Sequence, residues 1–165
     1  MEHEDTIVRD QRVTRLEWLT ANYPESEVGF MLHGGWLTHK LLEEAKYCFV
    51  YGQFLATAIL GLAFIERILA ARFYGTGRSE LERAGPRDLL REAFKSGWIS
   101  NDEFQQFNRV CSLRNPIAHF RRPLASDTLE YRAVQEDSHP VDLVQSDAQE
   151  ILKGVFRILT KSAIK

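Results

Sequence analysis

The sequence is short of cysteine, of surplus charge of either sign, and of repeated or alternating patterns. Its two cysteines, Cys48 and Cys111, lie far apart and form no CxxC pair, which excludes a zinc ribbon and a thioredoxin-type redox motif. Both stand among apolar residues and are expected as buried thiols, a usage that suits a reducing cytoplasm. Lysine and arginine together number 21 and aspartate and glutamate 23, for a net charge of −2. That balance excludes the broad cationic coat of a histone-like or ribosomal-type protein, and leaves room for a small local basic site. No segment repeats, and no set of residues alternates apolar with polar as strands do. The first residues, Met-Glu-His-Glu-Asp, are acidic and polar, the opposite of a secretory signal.

What is present is ordinary material for a globular fold. With 165 residues, 44% hydrophobic and 27% charged, the chain is expected as one domain, residues 1–165, with 1–28 adding an N-terminal helix to the core. Val8, Val13, Leu16 and Leu19 mark an amphipathic helix that Tyr23-Pro24 ends. A glycine-punctuated connector, Gly29–Gly35, leads into a long helical pattern from about Leu37 to Phe73, with a break or bend near Tyr51-Gly52. Pro86 suits a first helical position. Ser100-Asn-Asp-Glu103 and Ser146-Asp-Ala-Gln149 both read as capping boxes, each opening a helix. Residues 123–145, with Pro123 and Pro140, read as a loop before the last helix. The expected fold class is all-α, a bundle of about five helices.

Cys48–Ile65 carries no formal charge over 18 residues, the lower edge of a membrane span. Gln53, Thr57 and the flanking Glu44, Lys46, Glu66 and Arg67 favour instead a bundle's central helix, so no membrane partner is expected. The aromatic set Trp36, Tyr47, Phe49, Tyr51, Phe54 and Phe64 reads chiefly as core, with part left for a dimer interface. His33, His39 and Glu43 lack a fourth ligand, so no metal is expected there. Gly75-Thr-Gly77 lacks the flanking strand of a dinucleotide loop and reads as a helix stop.

The chemistry concentrates in Leu113-Arg-Asn-Pro-Ile-Ala-His-Phe-Arg-Arg122. Proline at 116 disfavours helical geometry at Asn115, so one helix is expected to end near Arg114 and another to begin with Asn115 as its cap. The exposed N–H groups and positive dipole end of the new helix suit a phosphate. Arg114 adds a planar, permanently charged fork, and Arg121 and Arg122 add local positive charge for RNA. His119, near a positive helix end, is biased towards neutral imidazole, the form of a general base. Such a base takes the proton of an RNA 2′-hydroxyl, with Arg114 stabilising the charge that grows on phosphorus and no cofactor required.

Arg114-Asn115-Pro-Ile-Ala-His119 resembles the R-x4-H motif of HEPN domains, small α-helical bundles. The resemblance implies a metal-independent endoribonuclease, catalytic through Arg114 and His119, with Asn115 supporting them. It also implies a glutamate on an earlier long helix facing the site, for which Glu66 stands in the right place. Members of this family often form homodimers whose paired Arg and His line one cleft, and many are toxins or defence proteins held by an antitoxin or other regulatory protein. One departure is Arg121, where toxins modified by a nucleotidyltransferase antitoxin often carry tyrosine.

A plainer reading gives each residue a structural role: Arg114 paired with a carboxylate such as Glu66, His119 packed at a helix end, Asn115-Pro116 a cap. The alternatives to an enzyme are a non-catalytic module binding RNA, a nucleotide or a partner protein, and a purely structural helical dimer.

Overall fold

The computed structural model of the chain describes residues 2–27, 29–118, 121–122 and 125–162, with side chains for all of these but 2–4, 114–116 and 118. Among the described residues there are seven α-helices and no strands. They are α1 (Glu2–Asn22), α2 (Gly35–Val50), α3 (Phe54–Gly75), α4 (Pro86–Lys95), α5 (Asn101–Ala118), α6 (Leu129–Glu136) and α7 (Pro140–Lys161). A single 3-10 turn, Ser79–Leu81, joins α3 to α4.

The expected helical class is therefore found, with more helices than the five read from the sequence. The break expected near Tyr51-Gly52 is found and makes two helices of one pattern, and a further helix, α6, lies where a loop was expected. The long pattern from Leu37 divides into α2 and α3 at Tyr51-Gly52-Gln53, where Gly52 takes a left-handed φ of 75°. Arg15 of α1 reaches into this corner and donates from Nε to the Val50 carbonyl at 2.9 Å. One of the carbonyls left without an intrahelical partner at the end of α2 is thus satisfied by a side chain of another helix.

The departure from expectation lies in 123–145. Of this supposed loop, 123 and 124 lie outside the described residues, but Leu129–Glu136 forms α6 and α7 begins at Pro140. Thr128 caps α6 by accepting the Tyr131 N–H at 3.3 Å. His139 caps α7, its Nδ1 accepting the Val141 N–H at 3.3 Å. Ser146 is consequently an interior residue of α7, and the capping box expected there is absent. The other box forms as expected: the Ser100 N–H donates to the Glu103 carboxylate at 2.7 Å, and the Glu103 N–H to Ser100 Oγ at 3.2 Å.

The buried side chains make one cluster, with α3 at its centre. Phe64, Ile65, Ile68 and Leu69 of α3 are almost wholly buried, as are Phe49 of α2, Phe107 of α5 and Ile151, Leu152 and Ile158 of α7. Burying such side chains supplies the main driving force, about 1.5–3 kcal/mol for each. Small residues set the closeness of approach. A Cβ on Gly61 would stand 2.7 Å from Ile151 Cγ2, and one on Gly154 would touch the Phe107 ring at 3.5 Å. The helix α3 is also the one described helix long and apolar enough to cross a membrane, and half of its most apolar stretch is buried in the fold. Cys48 and Cys111 are both buried, as read from their neighbours.

Candidate functional site

The segment that carries the motif closes α5. The helix runs without interruption from Asn101 to Ala118, so the expected break at Asn115-Pro116 does not occur. Val110 is buried, and Leu113 and Ile117 pack against the core at i, i+3 and i+7. This apolar stripe continues past Pro116 and holds the last turn in register. A proline so close to a helix end forgoes one hydrogen bond with little helix left to disrupt.

The electrostatic argument changes sign with this geometry. Arg114 and Asn115 stand in the closing turns of α5, where unpaired carbonyls and the negative end of the dipole gather. Asn115 is therefore no N-cap, and no helix begins at Pro116 to offer its amides to a phosphate. The helix N-terminal amides expected at Pro116 are therefore not available to an anion. The side chains of Arg114 and Asn115, and the whole of His119, lie outside the described residues.

The two following arginines differ. Arg121 Nε donates to Asp127 Oδ2 at 2.8 Å, so a neighbouring carboxylate already engages it. Arg122 is exposed. The extra charge expected for RNA is thus reduced at one position and available at the other.

Glu66, the carboxylate expected to face the site, is half-buried on α3. It lines an open cleft of about 410 Å³ with Leu37 and Leu41 of α2, Ala63, Arg67 and Ala70 of α3, and Glu82, Arg83 and Ala84 beyond the 3-10 turn. Residues 63, 66, 67 and 70 follow the i, i+3, i+4, i+7 spacing of one helix face. The alanines at either end of that face create the hollow around the Glu66-Arg67 pair. Arg67 donates to the Gly34 carbonyl at 3.3 Å. Gly34 has a φ of 92°, and a Cβ there would clash with Thr38 Oγ1, so glycine is required where the chain passes the arginine. Arg67, Glu82 and Arg83 were missed by the sequence reading; the signal was the alanine spacing on α3, set against charged neighbours.

The other features resolve simply. Phe49, Phe54 and Phe64 are core, whereas Trp36, Tyr47 and Tyr51 are exposed. Tyr47 stacks on Tyr51 with ring centroids 4.3 Å apart, and the Arg12 guanidinium lies 4.7 Å over Tyr51. The Tyr47 hydroxyl is pushed above its ordinary range, first by the neighbouring Tyr51 and then by burial. Glu43 pairs with Lys46 at 2.7 Å and His39 is exposed. Among the described residues no three His, Cys, Asp or Glu side chains gather as metal ligands would. Compared with known proteins, the chain matches no family model, no curated protein and no solved structure.

Proposed function

We propose that the chain is a HEPN-like, metal-independent endoribonuclease that works as a homodimer in the cytoplasm. One observation carries the reading: Arg114-Asn115-Pro-Ile-Ala-His119 stands at the exit of a core helix in an all-helical bundle. Arg114 binds the scissile phosphate and stabilises charge in the transition state. Asn115 and Glu66 orient the reacting groups. The RNA 2′-oxygen attacks the adjacent phosphorus, one histidine takes its proton, and the 5′-oxygen leaves with a proton from an acid. The products are a 2′,3′-cyclic phosphate and a 5′-hydroxyl. One copy of His119 gives the leaving oxygen its proton as the acid, and a second copy in the dimer takes the 2′-hydroxyl proton as the base. A toxin or defence role, held in check by an antitoxin or other regulatory protein, is part of the same proposal.

The test is cleavage of RNA by the purified chain in EDTA. Cyclic phosphate ends are expected, with activity lost in His119→Ala and Arg114→Ala. If His119→Ala cuts as well as the parent chain, the catalytic assignment is wrong.

A second reading is RNA binding without cleavage, with side chains such as the exposed Arg122 making the phosphate contacts. Binding that weakens steeply with salt and yields no product would establish it instead.

A further inference from the structure

The cleft between α2 and α3 has a composition of its own. Its apolar lining is Leu37, Leu41, Ala63, Ala70 and Ala84. Its charged groups are two arginines, Arg67 and Arg83, and two glutamates, Glu66 and Glu82. About 410 Å³ falls within the range of about 300–1,000 Å³ typical of small-ligand sites. A purely anionic ligand is disfavoured by the glutamates, and a purely cationic one by the arginines. The rim suits a molecule that carries an anion at one end and adjacent N–H donors at the other, joined by a flat apolar body.

A nucleotide has this build, and the donors select the base. A carboxylate is acceptor-only, with two oxygens side by side. On the Watson–Crick edge, guanine alone presents two neighbouring donors, N1–H and N2–H. Adenine and cytosine each present an amino donor beside an acceptor nitrogen, and uracil a single donor between two acceptors. Guanidinium groups match the phosphate. The hydrogen bond from Arg67 to Gly34 uses one of the five N–H donors a guanidinium carries.

We propose that this cleft binds a guanine nucleotide, its base edge on the Glu82 carboxylate, its ring over the alanines, and its phosphate on Arg67 and Arg83. The proposal rests on the ribonuclease reading in one respect: Glu66 lines the cleft, so the bound base is that of a substrate nucleotide near the scissile phosphate. Binding of a free mononucleotide is independent of cleavage.

The experiment titrates the full-length chain with GMP, AMP, CMP and UMP, by calorimetry and by amide chemical-shift mapping. GMP is expected to bind at least about tenfold more tightly than the others, with shifts at Leu37, Leu41, Ala63 and Ala70. Glu82→Gln offers one acceptor and one amino group in place of two acceptors, and should abolish the preference. Arg83→Ala should weaken all four nucleotides alike. Ala70→Leu fills the cleft and should lower GMP affinity by about tenfold or more, with Ala63→Leu as the second filling variant and melting curves to confirm folding. Equal binding of the four nucleotides, no binding, or GMP affinity unchanged by a folded filling variant overturns the proposal. A guanine-containing trinucleotide against its all-adenine counterpart separates RNA from free nucleotide as the natural ligand. Guanine preference without RNA cleavage keeps the cleft and rejects the ribonuclease; cleavage without guanine preference does the reverse.

Discussion

Arg132 of α6 grips Asp147 of α7 with both guanidinium nitrogens, at 2.7 and 3.0 Å. Glu136 adds a looser contact with the same arginine at 3.6 Å. No residue of α6 is fully buried, so this short helix is tied to the bundle largely by polar contacts. The carboxylates raise the Arg132 pKa above its ordinary value, chiefly through the hydrogen bonds Arg132 donates to Asp147. Removing the carboxylate should loosen α6 before anything else. We expect Asp147→Ala to cost about 1–2 kcal/mol in urea unfolding. Amide exchange should quicken across 129–136 while α3 stays protected. Equal exchange in variant and parent would show that α6 is held some other way.

Asp147 also shows what was and was not legible in the sequence. It sits inside Ser146-Asp-Ala-Gln149, which has the spacing of a capping box. A box works only where a helix starts, and α7 had already started at His139-Pro140. Proline serves both as a loop marker and as the first residue of a helix. At Pro86 the second use is visible in the sequence; at Pro140 the scattered Thr, Tyr and Val upstream hid it. Ser100-Asn-Asp-Glu103 was legible because nothing helical competes just before it. The apolar pattern of α3 was legible because that helix lies at the centre of the buried cluster. At Pro116 local preference pointed to a break, and the stripe of Val110, Leu113 and Ile117 outweighed it. The candidate site was legible as a set of residue types. The direction of the helix around it was not, because that depends on packing against the rest of the bundle.

Gly61 in the interior of α3 and Gly75 at its end make a controlled pair. Alanine at 61 would bring Cβ to 2.7 Å from Ile151 Cγ2, a methyl on a β-branched side chain stiff at χ1, whereas nothing lies within 4 Å of a Cβ at 75. Replacing glycine by alanine favours a helix by about 0.8–1.0 kcal/mol. Overpacking a core costs about 1–3 kcal/mol. At 61 the second effect should win, and Gly61→Ala should lower the melting temperature as α3 and α7 part. Gly75→Ala should leave it unchanged or raise it. Similar shifts for both variants would contradict the close contact.

Glu103 gives the fold a pH dependence. Burial pushes its carboxyl pKa up, but the Ser100 backbone N–H and the Lys161 ammonium at 3.0 Å outweigh that and hold it below the ordinary glutamate range. A folded pKa below the unfolded one contributes stability that is fully present above the ordinary value near 4.5 and is lost as pH falls through the folded value. Unfolding free energy measured from pH 7 downwards should therefore decline less steeply in Glu103→Gln than in the parent chain. Lys161→Met should show part of the same flattening, since it removes one of the two partners. Parallel curves for all three proteins would mean that other carboxylates dominate acid unfolding.

The pair Arg121–Asp127 makes the charge beside the motif adjustable. Each phosphate contact on single-stranded nucleic acid contributes about 0.7 to the slope of log affinity against log salt. Arg122 is exposed, so Arg122→Ala should lower the slope for a short RNA by about that amount. Arg121 is held by Asp127 at 2.8 Å, and approach of a phosphate must first break an attraction of similar kind. Arg121→Ala should therefore change the slope less than Arg122→Ala does. Asp127→Asn should strengthen RNA binding at low salt and steepen the slope, because it releases Arg121 without removing it. Equal losses in the two arginine variants, together with unchanged binding in Asp127→Asn, would show that the carboxylate does not restrain its neighbour.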